Sequence, residues 1–364
     1  MRLRRVAPLP LIVWACLTGG PSAAPPLQIT DLLDRYVAGQ FDAAVSQISE
    51  RTDFEDLLDQ LQRNGPAWID ARGPDERPRR ELAAATFALE AARIGEWHEW
   101  KWVQRRPETL AILSWKPAPL LIEWGCARFR EAVPPHPIER WWQLAALAVA
   151  QRGEDPQFLV GDLNIGLGHT TGEIGNPDVE IRHLDHIAAR FPSEPRFTLA
   201  HGIAREWHSD AAVRAKAMEV FGIVKDDLDV GAEATMRQGA MTLRDARPDN
   251  AIASFSDADR LSRDPYVVYL ARYFKGQAYE RLRRSLEAEI AYRAAVTTIP
   301  DAQSASMALA TLLFAREQRA EAQRLAVGAL SANPQPADPW REYAHADDRF
   351  WSELLGRLRA EIRK

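Results

Sequence analysis

Apolar residues recur at helical spacing along nearly the whole chain after residue 30, and alternating β-branched runs are scarce, so the pattern predicts an all-α fold. The stretch "DLLDRYVA" places Leu32, Leu33, Tyr36 and Val37 on one stripe. After Gly39, "FDAAVSQI" places Phe41, Ala44, Val45 and Ile48 on another, so a glycine-marked turn should join two antiparallel helices. Likewise "RHLDHIAARFP" reads as a helix stopped by Pro192, with "SEPRFTLAHGIAREW" as its hairpin partner. The chain ends in "DDRFWSELLGRLRAEIRK", where Trp351, Leu354, Leu355, Leu358 and Ile362 form one apolar stripe and the final turn is cationic. That layout suits a helix capping the last hairpin of an array.

Self-similarity at a fixed period is clearest from Tyr269 to Pro334. Gly276, Tyr279, Ala288, Ala295 and Pro300 are followed 34 residues later by Ala310, Leu313, Ala322, Ala329 and Pro334. Small residues let two antiparallel helices touch, a large residue packs between them, and a proline stops the second helix before the next hairpin. On these residues "YLARYFKGQAYERLRRSLEAEIAYRAAVTTIP" resembles a tetratricopeptide repeat (TPR), and "QSASMALATLLFAREQRAEAQRLAVGALSANP" resembles the next one. The first carries Tyr292 at the aromatic position of its second helix, whereas the second carries Ala326. An earlier unit has Gly239, Ala251, Phe255 and Ala258 lying 37 residues before Gly276, Ala288, Tyr292 and Ala295. "RYVAGQFDAAVSQI" resembles the middle of such a repeat through Gly39, Phe41 and Ala44. As a whole the sequence resembles exported bacterial TPR proteins.

Five regions follow: a signal-peptide or lipoprotein leader over 1–25, an N-terminal helical-hairpin region over 26–152, and a glycine-rich loop over 153–180. TPR-like repeats then run over 181–335, best over 269–334, before C-terminal capping helices over 336–364. The leader is read from "MRLRR", the apolar run Val6 to Leu17 and the small-residue stretch "TGGPSAAPP", with cleavage near residues 22–24. The apolar run is too short, and too interrupted by Pro8 and Pro10, for a transmembrane helix. "LIVWAC" offers a rival, a lipoprotein box with Cys16 as the lipidated residue and hence a lipid anchor. Either reading expects an exported protein in the periplasm or envelope. Removing the leader leaves Cys126 without a disulfide partner, and it reads as a small buried apolar residue.

The 364 residues are 46% apolar with a formal net charge of -5, ample for a core but without the basic field that draws phosphate backbones. Nucleic acid is therefore not expected as a partner. His183 and His186, three residues apart, could present two imidazoles to one metal beside Asp185 or Glu180. His201 and His208 lie beyond the break at Pro192 and about two turns, ~10 Å, from each other, so one ion could hardly use both. Packing or solvent is the preferred reading of all four. In "GDLNIGLGHTTGEIGNPD", Asp162, Asn164 and Glu173 match three positions of a calcium loop, but Gly166 and Leu167 occupy positions that need a ligand and a glycine. Seven of the twelve tryptophans lie between Trp97 and Trp142, and Trp97, Trp100 and Trp102 could form a sugar-binding platform.

No nucleophile elbow, HExxH or Walker loop occurs, so neither catalysis nor a cofactor is expected. The leading expectation is a scaffold for another protein or peptide. The resemblance implies a groove made by the first helices of the hairpins, with Leu270, Tyr273, Gln277 and Glu280, then Met307, Thr311 and Phe314, facing it. A metal protein using His183 and His186, and a glycan-binding envelope protein using the tryptophan cluster, are the alternatives.

Overall fold

The computed structural model describes residues 28–48, 54–98, 177–331, 338–343 and 349–364. The leader with Cys16, Cys126, the glycine-rich loop up to residue 176, Trp100 and Trp102, and the side chains of Trp97 and His183 lie outside the described residues. All regular elements among the described residues are helices. The N-terminal block contains α1 (Ile29–Val37), α2 (Phe41–Val45), α3 (Phe54–Asp70) and α4 (Arg77–His98). The repeat array contains α5 (Pro177–Arg190), α6 (Pro195–Glu206), α7 (Ala211–Val224), α8 (Gly231–Arg244), α9 (Pro248–Leu261), α10 (Pro265–Arg281), α11 (Ser285–Thr298), α12 (Gln303–Ala315) and α13 (Arg319–Ser331). Two C-terminal elements follow, α14 (Pro339–Glu342) and α15 (Trp351–Ile362).

Along the array each helix packs mainly on the next, and α8 also packs on α10, so hairpins stack with their first helices side by side. One contact repeats in three hairpins. A Cβ built on Gly202 would sit 2.4 Å from the Phe221 ring; on Gly239, 2.7 Å from Phe255; on Gly276, 2.4 Å from Tyr292. In each of these hairpins an aromatic ring of the second helix thus sits directly against the bare glycine backbone of the first, and all three rings are fully buried. The α6/α7 hairpin belongs to the series although its spacing hides it. In α12/α13 the ring is absent at Ala326, and Ala322 is the residue of α13 found buried among those described.

The turn between the two helices recurs as well. Ala246 (φ +58°), Arg283 (φ +58°) and Glu317 (φ +64°) sit in the left-handed region just after α8, α10 and α12, as Gly39 (φ +81°) does after α1. In each case the next residue's N–H closes back onto the helix, Arg247 onto Thr242 O at 3.2 Å and Arg284 onto Tyr279 O at 2.9 Å. A side chain is strained there. Ala246→Gly is therefore expected to stabilise the protein by about 0.5–1 kcal/mol, read as a higher urea midpoint with unchanged helical content.

The N-terminal block buries Leu32, Leu33, Tyr36, Phe41 and Phe87 around an edge-on trio of Tyr36, Phe41 and Phe87. Its open side is closed by α15, which packs on α4. This corrects the expectation that the final helix caps the last hairpin. The physical reason is a buried charge: Glu90 of α4 is 5% exposed, and Arg359 of α15 donates to it through Nε at 3.1 Å and Nη2 at 2.8 Å. The Tyr36 hydroxyl donates to the same carboxylate, and burial beside that negative charge pushes the phenol well above its ordinary range. Arg79 Nε donates to the Ile362 carbonyl at 2.7 Å, fastening the end of α15. No helix among the described residues is long and apolar enough to cross a membrane.

Candidate functional site

Between α13 and α15, the described residues lie over the first helices of the hairpins. Residues 338–343 and Arg349 form a strap whose bonds reach α6, α8, α10 and α12. Asp338 is 1% exposed and caps two helix starts. Its carboxylate accepts from Trp340 N–H of α14 at 3.0 Å and from Ser304 N–H of α12 at 2.6 Å. Trp340 then packs on α10, with ring centroids 6.1 Å from Tyr273 and 5.4 Å from Phe274. Three positions on, Tyr343 is 2% exposed, edge-on to Phe274 at 5.4 Å and to Trp207 at 6.2 Å.

Beneath Tyr343 lies a charged floor. Arg237 of α8, fully buried, donates from Nη2 to the Tyr343 carbonyl at 2.8 Å and faces the ring at 4.4 Å. The same guanidinium reaches Glu233 at 2.8 Å and Glu206 at 3.1 Å. The Tyr343 hydroxyl donates to Glu206, which also accepts from Arg244 at 2.9 Å. Arg349 closes the arrangement, reaching Glu233 at 2.9 Å and the α10 cap Asp264 at 3.1 Å, with its guanidinium 3.9 Å from the Tyr266 ring. Guanidinium groups and carboxylates alternate, so the burial of each charge is compensated by its neighbours.

Burial would raise the Glu233 carboxyl, but Arg349 and Arg237 outweigh it and hold it at about 2, against an ordinary 4.5. Its pKa is lower in the folded protein than in the unfolded chain. The stabilisation is therefore present above pH 4.5 and lost as pH falls from 4.5 toward 2. Urea midpoints followed across that window should fall for the wild type, by a contribution of about 3 kcal/mol, and fall less for Glu233→Gln.

Beyond Tyr343 the strap's bed opens into a cavity of about 500 Å³ lined by Glu206, Trp207, Arg214, Met218, Met241 and Arg244 among others. Trp207 is 46% exposed there. Arg214 donates to the carbonyls of His208 and Ser209 at 2.7 Å each, and pairs with no carboxylate among the described residues.

The residues expected to face a groove divide. Leu270 is fully buried in the hairpin core and belongs to packing, which corrects its assignment to the groove. Tyr273 does face the inner side, but Trp340 of the chain itself covers it. Gln277 and Met307 are half-buried, while Glu280, Thr311 and Phe314 are exposed. The Tyr292 hydroxyl donates to Glu280, and the Thr311 hydroxyl donates to the Met307 carbonyl at 2.9 Å. The groove residues that spacing missed are Glu206, Glu233 and Arg237, buried polar groups on otherwise apolar helix faces.

His186 is exposed on α5. Asp185, a suggested metal ligand beside it, is held by His201 and by Arg205 at 2.7 Å instead. Burial and the neighbouring Arg205 cation lower the His201 pKa, opposed by Asp185. Among the described residues no group of three histidine, cysteine, aspartate or glutamate side chains could hold a metal ion.

Stacked antiparallel hairpins, a small residue facing an aromatic ring in three of them, and a shared left-handed turn define an all-α, TPR-like solenoid. No family model and no curated protein matches the chain. Among solved structures it is similar to MamA, 22% identical over 42% of this chain and 86% of that one, with a TM-score of 0.35. It is also similar to a monomeric IFIT1 mutant with Gppp-AAAA, 12% identical over 84% of this chain and 74% of that one, at 0.41. The human IFIT1 dimer with m7Gppp-AAAA is 13% identical over 84% and 73%, at 0.38.

Proposed function

We propose that the chain is an exported scaffold that binds a protein partner by seating a short segment of it along the inner face of the repeats, with no catalytic step of its own. The observation that carries this reading is that the inner face already holds a short segment of chain, the strap, with Asp338 extended ahead of the single-turn helix α14. It does so through the Arg237 side chain of α8, which donates to the Tyr343 carbonyl, and the Ser304 N–H of α12, which donates to the Asp338 carboxylate. In this reading the partner also meets Gln277, Glu280, Met307, Thr311 and Phe314, which are half-buried or exposed on α10 and α12. Export rests on the leader over 1–25, and the mature chain should begin within a few residues of Ala24.

The test places a photo-crosslinking residue at Gln277, at Thr311 and, as a control on the outer face, at Ile223 of α7, which is 73% exposed. The expected result in envelope preparations is one and the same protein joined at both groove positions and absent at Ile223. Equal labelling at all three positions, or no adduct at the groove, would overturn the reading.

A further inference from the structure

We propose that the strap is a built-in stand-in for the partner's segment, so that the isolated chain is autoinhibited and the groove accepts in trans a peptide of the same chemistry. That chemistry is an acidic residue, aromatic side chains two and five positions later, and an arginine further on, as in Asp338, Trp340, Tyr343 and Arg349. The proposal rests on the groove being the partner site.

Three features make the strap displaceable. The side chains it covers are ones that water solvates well: Glu206, Glu233 and Arg237, between 0% and 4% exposed under the strap, would be hydrated once it left. A permanently buried face is instead apolar, as the hairpin interiors are around Phe255 and Tyr292. The fit is also incomplete, because the Tyr266 hydroxyl beneath Arg349 is buried with no hydrogen-bond partner among the described residues. The strap's own helix, α14, spans only Pro339–Glu342, too short to hold its shape without the groove.

The cavity beyond Tyr343 supplies the advantage a partner needs over the strap. It is open, walled by Trp207 and Met218, and edged by Arg214, whose guanidinium is satisfied by carbonyls alone among the described residues. A partner that places an apolar side chain and a carboxylate there gains contacts the strap does not make. Displacement has a mechanical consequence, since the segment that fills the groove continues into α15, which closes the N-terminal block on α4.

The test uses a fluorescein-labelled peptide of residues 336–350, "PADPWREYAHADDRF", titrated into the full chain and into full-chain Trp340→Ala and Arg349→Ala, which loosen the strap and leave its bed intact. The peptide should bind both variants about tenfold or more tightly than the wild type, because the strap no longer competes. The same peptide with alanine for its tryptophan and tyrosine should bind neither. Equal affinity for all three chains, or no binding to chains whose circular dichroism matches the wild type, would overturn the proposal. Amide exchange supplies a second readout that does not depend on the variants folding. Excess peptide should raise exchange of residues 338–343 in the wild type, and unchanged exchange would also overturn it. If groove crosslinks form while this peptide binds nothing, the scaffold reading stands and autoinhibition falls.

Discussion

Arg237→Met is expected to destabilise the repeat array by about 3–5 kcal/mol, the largest loss predicted for a single side chain. Methionine fills most of the same volume, so the cost is electrostatic. Glu206 and Glu233 would each lose a buried cation, and the Tyr343 carbonyl would lose its donor. Arg244 and Arg349 still pair with those two carboxylates, which keeps the change from unfolding the chain outright. Urea denaturation followed by far-UV circular dichroism measures it. A loss under about 1 kcal/mol would mean that the strap does not seal this cluster from water.

The second large effect is Gly276→Val, expected to cost about 3 kcal/mol. A Cβ at this position would meet Tyr292 ring atoms at 2.4, 2.5 and 2.8 Å. The ring cannot retreat, since it is fully buried and contacts Tyr273 with centroids 6.0 Å apart. Separating α10 from α11 would in turn open the core around Ala288 and Ala295. The matched control is Gly328→Ala in α13, where a Cβ meets nothing within 4 Å. Helix propensity alone then acts, and stability should rise by up to about 1 kcal/mol.

Much of the fold was legible because it rests on local periodicity. The small-and-aromatic pairing of Gly239 with Phe255 and Gly276 with Tyr292 spans 16 residues in each hairpin, and the left-handed turn at Gly39 was marked by its glycine. The α6/α7 hairpin escaped because Gly202 and Phe221 are 19 apart, three extra residues falling in the turn around His208. The left-handed positions at Ala246, Arg283 and Glu317 carry no glycine, so composition gave no warning of them.

The site was less legible because its bonds join distant positions. Glu206 and Tyr343 are 137 residues apart, and Glu90 and Arg359 are 269 apart. No periodicity encodes such pairs. The only local signal in the strap was "DPW", an aspartate cap followed by proline at the first helical position. Tyr273 was read as surface because the repeat pattern presents it to the inner face, where Trp340 of the chain's own tail covers it, whereas Leu270 turns into the hairpin core.

The claim on which the rest depends is that the strap lies in the groove, and a double-mutant cycle between Arg349 and Glu233 tests it most directly. The two residues are 116 apart in the chain and meet only if Arg349 lies against α8. Unfolding free energies of Arg349→Ala, Glu233→Gln and the double variant should reveal a coupling of about 1.5 kcal/mol or more at pH 7. Effects that add to within about 0.5 kcal/mol would contradict the seated strap and, with it, the peptide groove.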